Sequence, residues 1–316
     1  MSYLTNKILT VNMDITAVFK MQNYTSILLA ALIICTIILS LKVNFLLLKN
    51  IDIVTFSNAL GNESNLYLHR FGDDLSLGAP DPIPSSSVSG DLQYSVSKIY
   101  DMYGKYIYEK ALQVGVSPSN AAAVIFVESK GDGFGPDNKM TIRFEACDFY
   151  NFWGKYHKKE FNDHFYCSKD TIENIDDKYR NASNEPFVNY HDNHFEEWRA
   201  FKIARNLNET SALNSISMGL SQVMGFNYHK LGYNSVKEMF DKLSSSVKAQ
   251  IDSFFSSTTY KDNNDKLSCL DNLKTDDYIA FAGCYNGSGH DKEYGSTVKS
   301  IANVYKEITK GRQYPG

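Results

Sequence analysis

The sequence has 316 residues, 43% hydrophobic and 22% charged, a balance that supports globular structure and excludes long intrinsic disorder outside a linker. The net charge of −4 comes without a strongly basic block, which argues against nucleic acid as a partner, because phosphate binding needs clustered Lys and Arg. The five cysteines form no CxxC pair, so neither a zinc site nor a thioredoxin-like centre is expected.

A tail, 1–23, precedes an uncharged apolar run from Ser26 to Leu41. Counted from Tyr24 and with Lys42 snorkelling, residues 24–48 reach the ~20 residues of a spanning helix. Its apolarity on all faces argues against a core helix, and a long n-region with the small-residue site Ser57-Asn58-Ala59 far beyond the run argues against a cleaved signal peptide, so a permanent transmembrane or signal-anchor helix is expected. Lys7 and Lys20 before it are balanced by Lys42 and Lys49 after it, so charge alone does not orient it. Residues 49–91 read as a linker, with Pro80, Pro82, Pro84 and the Ser85-Ser86-Ser87 run resisting regular structure. The globular domain is expected over 92–316.

Helical periodicity dominates from there. Tyr94, Val96, Ile99, Tyr103, Ile107 and Leu112 predict an amphipathic helix. Ser117-Pro118 starts another, whose Ala121–Val127 stretch is apolar on every side and runs into Glu128. Ile142, Phe144 and Ala146 alternate with Arg143, Glu145 and Cys147 as in a short strand. Phe195, Trp198, Phe201 and Leu207 fit a helix, as do Tyr294, Val298, Ile301, Tyr305 and Ile308. Val236 to Phe254 reads as one long regular helix capped by Asn234. In an oxidising compartment Cys147, Cys167, Cys269 and Cys284 would form two disulfides in any of three connectivities; otherwise they are buried thiols. His157, His164, His191 and His194 gather with Asp163 and Asp192 in spacings that match no metal motif, so a solvated loop is expected there.

Glu128 is the first candidate for chemistry. It follows an apolar helix and sits at its C-terminal end, where poor hydration and the negative end of the dipole both favour the neutral carboxylic acid. An acid protonated near neutral pH suits glycosidic cleavage. The bland alternative is a Glu emerging into solvent.

Three segments follow in order: Glu128-Ser129 with Gly131, then Ser217-Met218-Gly219 with Gln222 to Asn227, then Tyr285-Asn286-Gly287. This order resembles the lysozyme-like superfamily. With Phe144-Glu145, Phe149, Glu197-Trp198 and Gly232-Tyr233 added, the chain from about Leu92 onward is similar to the N-acetylmuramidase family of phage endolysins and related bacterial proteins. It departs at Met218, where that family usually has Trp, at Cys147, where a His follows the second Glu, and in a longer stretch from Tyr150 to Phe195. The fold thus implied is mainly α: a lysozyme-like α+β domain with a small β-hairpin, preceded by the membrane helix and linker.

The implied activity is hydrolysis of the β-1,4 bond between N-acetylmuramic acid and N-acetylglucosamine in peptidoglycan glycan strands, without cofactor or metal. Glu128 is the expected general acid and Glu145 the second catalytic group, unless Glu145 only forms a salt bridge; Asp132, Asp148 and Glu197 are rivals for its role. Ser217, Gln222, Asn227, Tyr285 and Asn286 are the expected substrate-binding residues, or else brace turns and the catalytic helix. A lytic transglycosylase on the same bond and a non-catalytic wall-binding module are the alternatives. A single-pass membrane protein with its catalytic domain on the cell-wall side follows from the anchor and the substrate together.

Overall fold

The computed structural model describes residues 77–167, 177–191, 193–261, 267–287 and 289–316. The expected tail, the apolar run at 24–48 and the first part of the linker lie outside them. The expectation of a single-pass membrane protein is corrected: no helix of the described residues is long and apolar enough to cross a membrane. The helix that carries the longest buried apolar run, Pro118–Ser129, has 12 residues and reaches only about 18 Å, against a hydrocarbon core of about 30 Å.

Residues 77–83, expected within the linker, dock on the first helix, α1 (Asp91–Val114). Leu77, Ala79 and Ile83 are buried, and the Ile83 N–H donates to the Asp101 carboxylate at 2.7 Å. Helix α1 turns Val96, Ile99, Tyr100, Tyr103, Ile107 and Ala111 inward, the three-and-four spacing of one helical face. Gly115, left-handed at φ 73°, ends it. Helix α2 (Pro118–Ser129) buries Ala121 to Phe126 without interruption.

The predicted strand is shorter than its alternation. Strand β1 spans Ile142–Phe144, and Glu145 immediately precedes α3 (Ala146–Phe152). The Ala146 N–H donates to the buried Asp177 carboxylate at 2.8 Å, and Ala146 and Phe149 are both buried, so helical spacing takes over from strand spacing. The insertion then forms α4 (Lys158–His164), β2 (Phe165–Tyr166), β3 (Lys178–Tyr179) and β4 (Val188–Asn189). Next come α5 (His194–Leu207), α6 (Glu209–Asn214), β5 (Ile216–Met218) and β6 (Val223–Met224). The mainly helical chain fits the expected lysozyme-like α+β domain. In place of one hairpin, the described residues carry two antiparallel three-stranded sheets, β1-β5-β6 and β2-β3-β4. In the first, Ile142 pairs with Met218 and Phe144 with Ile216.

The single long helix expected after Asn234 is two, α7 (Val236–Leu243) and α8 (Val247–Thr259). Serines make the break. The Ser235 hydroxyl accepts from the Glu238 N–H and the Ser246 hydroxyl from the Ala249 N–H, so Ser235, not Asn234, caps the first helix, and Ser246 starts the second. Helices α9 (Cys269–Lys274), α10 (Tyr278–Tyr285) and α11 (Asp291–Ile308) complete the domain. Disulfides join Cys147 to Cys167 and Cys269 to Cys284.

The described residues form two apolar cores. One gathers side chains of α1, α2, α8, α9, α10 and α11; the other packs the β1-β5-β6 sheet against α3, α5, α6, α7 and the insertion. Phe134 touches both. Gln250, wholly buried on α8, links the loops near their junction. Its amide donates to the Leu243 carbonyl at 2.9 Å and the Gly133 carbonyl at 3.3 Å, and its Oε1 accepts the Leu220 N–H at 3.0 Å. Gly219 is left-handed at φ 66°, and a Cβ there would lie 2.5 Å from the Gln250 side chain. Gln250→Leu strands these buried backbone groups and is expected to cost about 2–4 kcal/mol. Urea unfolding of the full chain measures it, and a loss under about 1 kcal/mol would contradict this account.

Candidate active site

A cleft of about 790 Å³ runs past the C-terminal end of α2. Glu128, Glu145, Ser217, Gln222, Asn227, Tyr285 and Asn286, all seven residues expected at the site, line it. Asp132, Asp148 and Glu197, the rivals of Glu145, do not. Arg143, Met224, Phe226, Lys230, Ser257 and Tyr260 also line it. Met224 and Phe226 fall within the Gln222 to Asn227 motif, whereas no motif marked Lys230, Ser257 or Tyr260 for the cleft.

Glu128 is half-buried in the last turn of α2. Burial pushes its carboxyl up from 4.5 to about 7, against the opposing pull of one hydrogen bond from Tyr294. The Tyr294 hydroxyl on α11 donates to Glu128 Oε1 at 2.5 Å. Burial first, and then the neighbouring Glu128 charge, hold the Tyr294 phenol far above its ordinary value, so it stays protonated and remains a donor. Tyr294 lies 166 residues from Glu128 in sequence; its only sequence signal was a place in the helical stripe of α11.

Glu145 stands at the β1–α3 junction, its side chain 19% exposed, and Arg143 Nε donates to its Oε1 at 2.8 Å. The salt bridge weighed for Glu145 is therefore present, and the carboxylate faces the cleft as well. Three consecutive N–H groups hold the junction. Phe144 donates to Glu197 at 2.8 Å, Glu145 to the Ser215 carbonyl at 2.8 Å, and Ala146 to Asp177 at 2.8 Å. Burial and then the Glu145 charge raise the Asp177 carboxyl to about 6.

The Ser217 hydroxyl donates to Gln222 Oε1 at 2.6 Å, and the Gln222 amide donates to the Gly219 carbonyl at 2.8 Å. Gln222 is left-handed at φ 46°, so these bonds hold the turn as well as place its side chain on the cleft. The Tyr285 hydroxyl donates to the Ser221 carbonyl at 2.7 Å, and its ring stacks on Phe281 at 5.2 Å. Met218, one departure from the family pattern, is fully buried in the second core and contributes nothing to the cleft lining. Cys147, the other, is in its disulfide.

The histidines of the insertion, expected in a solvated loop, each meet a separate partner. His157 stacks on Trp153 at 4.4 Å, His164 meets the Arg180 carbonyl, His194 meets Asp137 and His191 meets Glu197. Asp192 lies outside the described residues.

Residues 117–307, more than half of the chain, match the family model for N-acetylmuramidase. No curated protein matches the sequence. Among solved structures it is similar to the crystal structure of a Burkholderia AP3 phage endolysin, at 22% identity and a TM-score of 0.48, over 66% of this chain and 72% of that one.

The raised Glu128 carboxyl has a signed consequence. The fold favours the neutral acid, so that stabilisation is complete below 4.5 and is lost as pH rises through about 7. Comparing unfolding of the full chain with Glu128→Gln across this range, the advantage of the native protein should shrink by about 2 kcal/mol, allowing for partial exposure. A pH-independent difference would contradict it. Tyr294→Phe removes the contact that lowers the carboxyl, so NMR titration should place Glu128 higher than in the native protein.

Proposed function

Since this chain belongs to the N-acetylmuramidase family, of glycoside hydrolases acting on peptidoglycan, we propose that it hydrolyses the β-1,4 bond between N-acetylmuramic acid and N-acetylglucosamine with Glu128 as the general acid. The observation that carries this reading is a carboxyl held up to about 7 on the wall of a cleft. Such a group is protonated over much of the neutral range and can give its proton to the departing glycosidic oxygen.

Glu145 is the second carboxylate on the same cleft. Its Arg143 partner supports a negative charge there, which is what an oxocarbenium-like transition state or an attacking water requires. The pair thus divides between a neutral acid, produced by burial, and an ion-paired carboxylate. Ser217, Gln222, Asn227 and Asn286 offer hydroxyl and amide groups to the hydroxyls and N-acetyl groups of the sugars, and Tyr285 braces the wall beside Glu128.

The test is digestion of purified peptidoglycan by the full chain and by Glu128→Gln, with the new sugar ends identified by mass spectrometry. Reducing N-acetylmuramic acid ends are expected, falling on the order of 10³-fold in the variant. Activity should decline as pH rises above about 7, because the acid is then ionised. Ends in the 1,6-anhydro form would assign the protein to the transglycosylases instead, and a folded protein that releases no fragments would leave a wall-binding module.

A further inference from the structure

Beside the cleft, three segments bring ligand-type atoms together. Glu145 comes from the β1–α3 junction, Asp177 from the strand region of the insertion, and His191 from the turn before α5. A carboxylate oxygen of each acid and a ring nitrogen of His191 all lie within 4.8 Å of one another. The neighbouring sulfurs of Cys147 and Cys167 are joined in a disulfide and are not thiolates, so the donor set is one imidazole and two carboxylates.

The orientation of His191 is the decisive feature. Its Nδ1 meets Glu197 Oε1 at 2.9 Å, while the other Glu197 oxygen accepts the Phe144 N–H at 2.8 Å. A carboxylate on Nδ1 makes that nitrogen the donor, and in the neutral imidazole Nε2 then keeps its lone pair, the arrangement that orients metal-binding histidines. That Nε2 atom is buried and makes no hydrogen bond. It faces Asp177 Oδ2 at 4.0 Å, too far for a shared proton.

Charge balance points the same way. Asp177 has a fully buried side chain and Glu197 one only 5% exposed; His191 faces both, and the Arg143 guanidinium is ion-paired with Glu145. Buried carboxylates in excess of cations are expensive unless a further positive charge is supplied. We propose that Glu145, Asp177 and His191 form a binding site for a divalent transition-metal ion of the zinc class, with Glu197 orienting the imidazole.

Imidazole with carboxylate oxygens suits that class of ion. Metal–ligand bonds of about 2.0–2.1 Å place tetrahedral ligand atoms roughly 3.3 Å apart, so side-chain movements of about 1 Å complete the set. The fourth position is open to solvent or to a group in the cleft. A bound ion ties the insertion to the β1–α3 junction and stabilises the folded chain by mass action.

The test uses the full chain, free of any histidine tag, chelator-treated and kept non-reducing so that the disulfides persist. Zn²⁺ is titrated calorimetrically, and Co²⁺ is followed by its visible absorption. One ion per chain, a Tm that rises with added Zn²⁺, and a roughly tenfold or greater loss of affinity in both His191→Gln and Glu145→Gln are expected. Glu145→Gln alters a cleft-facing group, so it tests the site even where the His191 variant folds poorly. Absence of binding, or binding that both variants leave unchanged, overturns the proposal. Because the readout is binding without substrate, its failure is separate from any failure of the hydrolytic reading.

Discussion

Helix α2 has no polar face to turn toward water, and its burial is the constraint on which the cleft depends. From Ala121 to Phe126 each side chain is at most 4% exposed, enclosed by α1, α11 and the Gly219–Ser221 turn. A helix enclosed this way cannot rotate to expose its end, so the last turn presents Glu128 where the enclosure stops. The carboxyl is pushed toward its neutral form for the same reason that the helix is stable: the surroundings that exclude water from Phe126 also limit its access to Glu128.

The opposite wall is built by a different principle. Glu145 ends a three-residue strand, and backbone hydrogen bonds to Glu197, Ser215 and Asp177 hold it. Two of these acceptors are buried carboxylates, which tolerate burial only with several donors each. The first core supplies an apolar setting that keeps one acid neutral; the second supplies a polar lattice that holds another acid ion-paired. Gln250 and Phe134 lie where the two meet, which links the position of the Gln222 turn to the loop that follows Glu128.

The departures from the family pattern divide accordingly. Met218 stands where the family usually has Trp, and its buried place in the second core makes the difference one of packing rather than of cleft lining. Cys147 replaces a histidine and joins the insertion through Cys167. The longer insertion brings its own three-stranded sheet, and with it Asp177 and His191 beside Glu145.

Local pattern determined much of this molecule. The spacing of Val96, Ile99, Tyr103 and Ile107 produced α1, the unbroken apolar run before Glu128 produced a buried helix, and the three ordered motifs marked the residues that line the cleft. Each of these signals lies within a few residues or in a spaced set of short motifs, so the linear chain carries it. Serine capping, a local signal three residues long, split one expected helix into two. Tertiary structure decided what depends on distant partners. A buried acceptor 31 residues away turned the expected strand after Phe144 into a helix. Tyr294 reached Glu128 across 166 residues, and two of three sets of possible disulfide pairings were eliminated. The sequence marked Glu128 as an acid; only the packed fold set its degree of burial and supplied the phenol that opposes it.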